Sequence, residues 1–558
     1  MKQPTPTRDD PPVEPYEWRW VCLASVVALL VISIPYALAW VCQTPTRVFS
    51  GFNFLMDDAF SYLAKMRQGA EGAWLFHIAY TPEPHPGTLF FPFHLLLGKV
   101  AALLPGPENS LTTRMVWTYH VARMLFGLGL SLTTYRFLAE FTARVPVRRL
   151  AWLMVVCGGG LGWLLVALGR PNWLGSTPLD FYLPEGFAFL TLYAFPHIAL
   201  AQSLLLGGIL FLLRAWGVSP TSDIRGSSRA PRITFHVSRS TFHAATAGVC
   251  WFAMGFIVPF YVAVAWAVTG AAWLTLTLRE HRLLWREGLM ATAAALIPAP
   301  VVAYSAWVFT SDPVYATWAA QNRISSPHPL HYLAAYGVPL TLAAFAVRDA
   351  WRDEGPTWLA LAWVGVAPLL VYLPFNLQRR MVEGVQVPLS LLAAAGAVRV
   401  WESGRRWLVM ALLALMIPTY LVFLAGSSAW MLTRPPLVFR DAGEVAALDW
   451  LAGQVRPDDV VLAAYETGNY LPARVGARAF LGHGLETVDA AEKEALVARF
   501  FDATTDDAWR QRLLARYGVD VVFWGPAERA LGTFDPRTAP YLRQVYAGQG
   551  YEIFEVER

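Results

Sequence analysis

From Val21 to Trp40 the chain passes through twenty residues without one charged side chain, and apolar blocks of this kind recur as far as residue 427. Each runs for about 16–25 residues, and a helix of that length reaches across a hydrocarbon core of about 30 Å. Inside such a core every backbone polar group needs an internal partner, so the blocks read as membrane helices. A water-soluble enzyme is excluded: the chain is 56% hydrophobic and only 15% charged, against roughly a quarter charged in ordinary soluble domains. A membrane β-barrel is excluded as well, because its strands would alternate in segments of about ten residues.

The expected spans are 20–41, 115–137, 150–169, 190–213, 243–260, 261–278, 288–310, 330–347, 357–375, 385–400 and 407–427, about eleven crossings. The stretch 243–278 is too long for one helix, and Pro259 in its middle predicts a break. Residues 1–19 form a polar, Pro-rich tail. The segment Phe90 to Leu104 is short, carries His94 and Lys99, and is interrupted by Pro92. If it does not cross, the Arg-bearing connections at 136–149, 214–239, 279–286, 348–352 and 399–406 all fall on the side of the N-terminus. The segment is therefore read as re-entrant or interfacial, with the N-terminus cytoplasmic and the C-terminus outside.

That topology places three long connections outside, at 43–89, 170–190 and 311–329, and makes 20–430 the membrane domain. The cytoplasmic loop 217–240 is rich in Ser and Arg and reads as a disordered spacer. Past the last span, 435–558 reads as a small soluble α/β domain, with helices at 442–454, 490–501 and 507–517 and strands at 460–464, 519–523 and 551–556. The fold class is thus an α-helical polytopic membrane protein with an extracytoplasmic α/β domain. Cys22, Cys42, Cys157 and Cys250 lie in or beside apolar blocks, with neither zinc nor disulfide spacing. The formal charge of +4 comes from arginines spread between spans, which act as topology determinants and not as a nucleic-acid surface.

The first outer connection carries Asp57-Asp58, followed by Tyr62, Leu63 and Met66 and then Trp74, Leu75 and Phe76, interleaved with Lys65 and Arg67. This reads as an amphipathic helix at the interface. Adjacent carboxylates there can hold a divalent cation, or one can serve as general base. The plainer alternative is that Asp57 caps a helix and Asp58 faces its dipole.

An N-terminal span, an acidic pair in the first outer loop, a Tyr a few residues on, the turn Gly72-Ala73-Trp74-Leu75 and a Pro-rich stretch before an apolar helix together resemble the GT-C glycosyltransferases. The motif occupies about 40 residues, while the resemblance in topology covers most of the chain. It implies a plasma-membrane (inner-membrane) enzyme that takes a sugar from a polyprenyl-phosphate carrier and passes it to an acceptor glycan, lipid or protein. It also implies catalytic or metal-ligand roles for Asp57 and Asp58, with Mg2+ or Mn2+ as the candidate cofactor.

Further candidates lie on the same side. Asp180, Glu185 and His197 fall in or just after the second outer loop, and Glu185 and His197 are candidate substrate ligands, as is Tyr62 in the first. Arg379 and Arg380 run against the positive-inside bias, which a lipid phosphate would explain, because guanidinium binds phosphate bidentately; a salt bridge to Glu383 or a loop carboxylate would explain it too. Tyr315 and Trp318 in the third loop offer a sugar-stacking surface or an aromatic belt. Gly158-Gly159-Gly160 lacks the Lys of a phosphate loop and suits close helix packing. In the tail, the strand-to-helix loops at 465–470 and 482–487 read as turns, with His483 and Glu466 as a candidate site. Two other functions fit the composition: a transporter or flippase, which calls for inverted repeats and mid-membrane charges, and an inert scaffold in which only the tail matters.

Overall fold

The computed structural model describes residues 13–107, 110–218, 233–353 and 355–557, without the side chains of 233–238. Most of the N-terminal tail and the core of the Ser/Arg-rich loop lie outside the described residues. The chain divides into two compact units. One comprises Met1–Ser33, Ala122–Ser305 and Ile324–Ala425; the other comprises Ile34–Val121, Ala306–Arg323 and Gly426–Arg558.

Among the described residues, five helices are long and apolar enough to cross a membrane: Pro15–Val41, Pro196–Trp216, Arg239–Ile257, Tyr261–Arg279 and Arg406–Leu432. The pair Trp285–Leu296 and Ala299–Ser311, bent by 44° at Ile297-Pro298, makes a sixth if it is one span. The other expected crossings fall in shorter or more polar helices. Thr357–Leu370 has 14 residues and is about 21 Å long, short of the core thickness. Val145–Cys157 stops where Gly158–Gly160 leave the helical path. The expected break at Pro259 is present, between helices ending at Ile257 and beginning at Tyr261.

Among the described residues the regular elements of the first unit are helices, and Trp152, Trp251, Trp358 and Trp363 are among its fully buried side chains. Two of its buried arginines find partners within it. Arg148 pairs with Glu17 at 3.1 Å, and Glu17 also accepts from the Tyr135 hydroxyl at 2.6 Å. Arg123, 3% exposed, donates to Ser33 and to the carbonyls of Leu192 and Tyr193 at the end of a short helix. A cation that meets helix-terminal carbonyls balances their partial negative charge.

The second unit gathers the connection 43–89, most of 311–329 and the tail. β1 (Arg47–Phe49) pairs antiparallel with β2 (Phe439–Asp441). A five-stranded sheet follows, formed by β3 (Val460–Leu462), β4 (Arg478–Ala479), β5 (Val519–Trp524), β6 (Leu542–Gly548) and β7 (Tyr551–Val556), in the order β4-β3-β5-β7-β6. β4, β3 and β5 run parallel, and β7 and β6 close the sheet antiparallel. Phe480, Phe500, Phe501, Val522 and Phe554, all 0% exposed, form its core. The expected helices at 490–501 and 507–517 are present, and the one expected at 442–454 runs Ala442–Ala452. β4, β6 and the helix Tyr465–Val475 were not expected. β4 is only two residues long, and Pro472 lies within that helix.

Candidate functional site

The acidic pair opens the helix Met56–Ala70. Two close approaches fix that helix against Pro92–Leu103: a Cβ on Gly69 would strike the carbonyl oxygen of Leu95, and one on Gly98 would strike that of Met66. Only glycine lets the two backbones cross so closely. The expectation of an amphipathic helix lying on the lipid is corrected here. Leu63 and Met66 are 0% exposed and Lys65 is 1% exposed, because protein covers the face that lipid was expected to meet. The helix also ends at Ala70, before Trp74, whose exposed ring lies 4.2 Å from the Lys99 ammonium. The short Pro92–Leu103 helix spans about 18 Å, less than a bilayer core.

Asp57 is not the N-cap. That position belongs to Leu55, held in the left-handed region at φ 44°, with no side-chain cap bond. Asp57 is the second residue of the helix and exposed, while Asp58 is half-buried. The Tyr465 hydroxyl, 408 residues away in sequence, donates to Asp57 Oδ2 at 2.6 Å. The same phenol oxygen accepts from the Gly484 amide at 2.9 Å. Burial, reinforced by the bond to Asp57, pushes the Tyr465 hydroxyl well up, so it stays a donor at neutral pH.

Topology explains the meeting. Tyr465 follows β3 and the 482–487 loop follows β4, and adjacent parallel strands bring their carboxyl-terminal loops to one edge of the sheet. Below the edge, Ser61 donates to Glu486 Oε1 at 2.6 Å, and the Lys65 ammonium reaches both that oxygen, at 2.7 Å, and Ser61. Burial would raise the Glu486 carboxyl, but the Lys65 ammonium and the Ser61 hydroxyl outweigh it and hold the group below its usual range. Lys65 also lies 4.3 Å from the Phe91 ring centre. His483, 4% exposed, accepts from the Leu485 and Glu486 amides at 3.1 Å through Nδ1. Glu466 offers its backbone carbonyl to Arg440. The buried Glu528 fixes the end of β3 by accepting from Ala464 N and Gly525 N, and burial raises its carboxyl.

Tyr62 is half-buried and stacks flat on His94, with centres 4.6 Å apart and planes at 8°. Trp318, 8% exposed, sits among Phe76, Phe90, Phe91, Phe309 and Tyr315, so most of its ring packs against other aromatics. Gln321, at the end of the helix Pro313–Gln321, bonds Thr487 O and Asp489 N and so ties that connection to the tail.

In the helical unit, Glu185 is 3% exposed and pairs with Arg380 at 3.4 Å. Burial, with Glu185 adding to it, pushes the carboxyl of the nearby Glu383 well up. Arg379 instead lies 5.0 Å above the Tyr182 ring and faces a polar cavity of about 460 Å³ lined by Pro171, Asn172, Gly175, Ser176, Thr177 and Tyr182. His197 is 7% exposed at the second position of the Pro196–Trp216 helix. Asp180 is committed to structure: its Oδ2 accepts from Gly160 N, Gly162 N and the Thr419 hydroxyl at 2.8–3.1 Å. The glycine run thus lets the backbone approach a carboxylate and an adjoining helix.

Sequence reasoning missed Tyr465, Ser61, Lys65 and Glu486. The spacing of Ser61 and Lys65 by four residues, on one helix face, was the only local signal.

No family model matches the sequence, and no curated protein is similar to it in sequence. Solved structures are similar in fold. The oligosaccharyltransferase of Archaeoglobus fulgidus, tethered with an acceptor peptide containing the NVT sequon, aligns at a TM-score of 0.53 and 12% identity, over 91% of this chain and 69% of that one. Its apo form aligns at 0.50 and 12%, over 98% and 75%. ArnT from Cupriavidus metallidurans in the apo state aligns at 0.51 and 13%, over 97% and 98%. The chain has the fold of these structures, the GT-C fold.

Proposed function

We propose that this chain is a membrane glycosyltransferase that moves a sugar from a polyprenyl-phosphate donor to an acceptor at the outer face of the plasma membrane. The observation that carries the reading is Asp57: an exposed carboxylate at the start of a helix, gripped at one oxygen by Tyr465, in a chain with the GT-C fold. The acceptor hydroxyl attacks the anomeric carbon, the bond from that carbon to the phosphate oxygen breaks, and polyprenyl phosphate leaves with the electron pair. Asp57 takes the hydroxyl proton as general base. A solved neighbour is an oligosaccharyltransferase holding an acceptor peptide, which supports transfer to an acceptor and leaves its class to the assay.

Arg379 is the better candidate for the donor phosphate, since Arg380 is already paired with Glu185. The cavity beside it is lined by the polar side chains Asn172, Ser176 and Thr177, and a guanidinium keeps its charge while binding phosphate. A divalent cation is a narrower fit. Among the described residues no group of three His, Cys, Asp or Glu side chains can hold a metal, and neighbouring residues on a helix point about 100° apart. Asp57 or Asp58 would therefore hold Mg2+ or Mn2+ only with phosphate oxygens and water completing the shell. When bound, the ion would offset charge on the leaving phosphate.

The test is release of free polyprenyl phosphate by the protein in lipid nanodiscs, with a panel of polyprenyl-phosphate sugars and acceptors, with and without chelator. Turnover by wild type that Asp57→Asn loses supports the reading. Turnover that survives in both Asp57→Asn and Asp58→Asn removes it, and no turnover with any donor favours transport or a scaffold role.

A further inference from the structure

We infer that Tyr465 is a positioning residue of this same site, holding one oxygen of Asp57 so that the other is presented to the acceptor hydroxyl. The inference rests on the proposed transferase reading and adds the tail to its machinery.

A free carboxylate at a helix start rotates about two torsions and offers four lone-pair directions. Asp57 does not rotate freely, because the Tyr465 phenol donates to Oδ2 at 2.6 Å. The phenol is itself placed from two sides. Gly484 N donates to its oxygen at 2.9 Å, and its residue opens the helix Tyr465–Val475, whose preceding strand end is fixed by Glu528 through Ala464 N. The loop bearing Gly484 is in turn locked to the Asp57 helix by the buried Lys65–Glu486 pair. Two anchors, one above Asp57 and one a turn or two along its helix, thus fix the carboxylate against the sheet edge. A base oriented by a third group is the arrangement that nucleophile activation repeatedly uses. Among the described residues Tyr465 is the only side chain seen to bond Asp57, so Oδ1 is left for the ligand. A phenol that stays protonated at neutral pH suits a fixed donor and not a second base.

The experiment compares wild type, Tyr465→Phe, Asp57→Asn and the double variant, as full chains in nanodiscs, reading kcat, donor KM and thermal melting with a donor that wild type turns over. Tyr465→Phe is expected to lower kcat about tenfold with donor KM within about twofold and melting unchanged. In the Asp57→Asn background the same change is expected to alter the residual rate less than about twofold, because a residue acting through Asp57 has nothing left to position. Placing p-aminophenylalanine at 465 restores a donor and should recover most of kcat. Wild-type kcat in Tyr465→Phe, an equal loss in both backgrounds, no recovery with p-aminophenylalanine, or a rate loss that merely follows a loss of melting each overturns the inference. Those results sink it alone; a wild type that turns over no donor sinks the transferase reading with it.

Discussion

Asp57 and Asp180 are aspartates of two connections between apolar blocks, and the fold uses them in opposite ways. Asp180 is 1% exposed, and its Oδ2 receives three donors that hold the Gly160–Gly162 backbone and the Thr419 helix in place. Asp57 is exposed and receives one donor, the Tyr465 phenol. A carboxylate sealed in protein with three donors on one oxygen is a brace that no ligand reaches, whereas an exposed one gripped by a single donor keeps capacity for a ligand. The number and kind of partners, and not the residue type, separates a brace from a candidate base. The arginines repeat the lesson: Arg380 is paired with Glu185, while Arg379 rests on Tyr182 beside an open polar cavity.

The sharpest way to break the comparison is to neutralise both aspartates. Asp57→Asn is expected to cut polyprenyl phosphate release by about 10²–10⁴-fold, the usual contribution of a general base, with melting unchanged. Next in size is the anchor beneath it. Lys65→Met leaves the buried Glu486 without its cation, at a cost of about 3–5 kcal/mol seen as a lowered melting temperature. The same pair gives a pH signature. Because Glu486 is held below its ordinary value of 4.5, the stability it adds is full above that pH and is lost as pH falls below it; Glu486→Gln should flatten that acid limb of the melting curve.

Asp180→Ala should do the reverse of Asp57→Asn. It strands buried amide donors and costs about 2–3 kcal/mol of stability, while the activity of the folded fraction is kept. The smallest effect is Arg379→Ala, expected to raise donor KM about tenfold with kcat little changed, whereas Arg380→Ala should act first on stability by leaving Glu185 buried without its cation. An unchanged donor KM in Arg379→Ala would remove the phosphate assignment.

Much of this was legible in the chain. Continuous apolar blocks announce membrane helices because backbone groups in lipid have no other partner, and the acidic pair in the first outer loop drew attention to the helix that carries Asp57. The tail's α/β pattern was readable at Val519–Trp524 and Tyr551–Val556, where β-branched and aromatic residues cluster. Less readable were the crossings themselves. Hydropathy does not see that Thr357–Leu370 stops after 14 residues or that Trp285–Ser311 bends by 44°. The lipid-lying helix was misread for a related reason: the side chains of Leu63, Lys65 and Met66 fit an interface and a protein interior equally well, and only the packing of Pro92–Leu103 decides between them.

By itself the sequence determined a series of apolar helices long enough to span a membrane, an α/β pattern in the tail and an acidic pair soon after the first apolar block, because hydropathy blocks and helix periodicity are local properties. Only the tertiary structure decided which carboxylate is free and which is committed. The partner of Asp57 lies 408 residues away and that of Lys65 421. No local pattern encodes such pairs; they arise when parallel strands carry the loops after β3 and β4 to one sheet edge and a glycine-lined crossing fixes the helix that meets it.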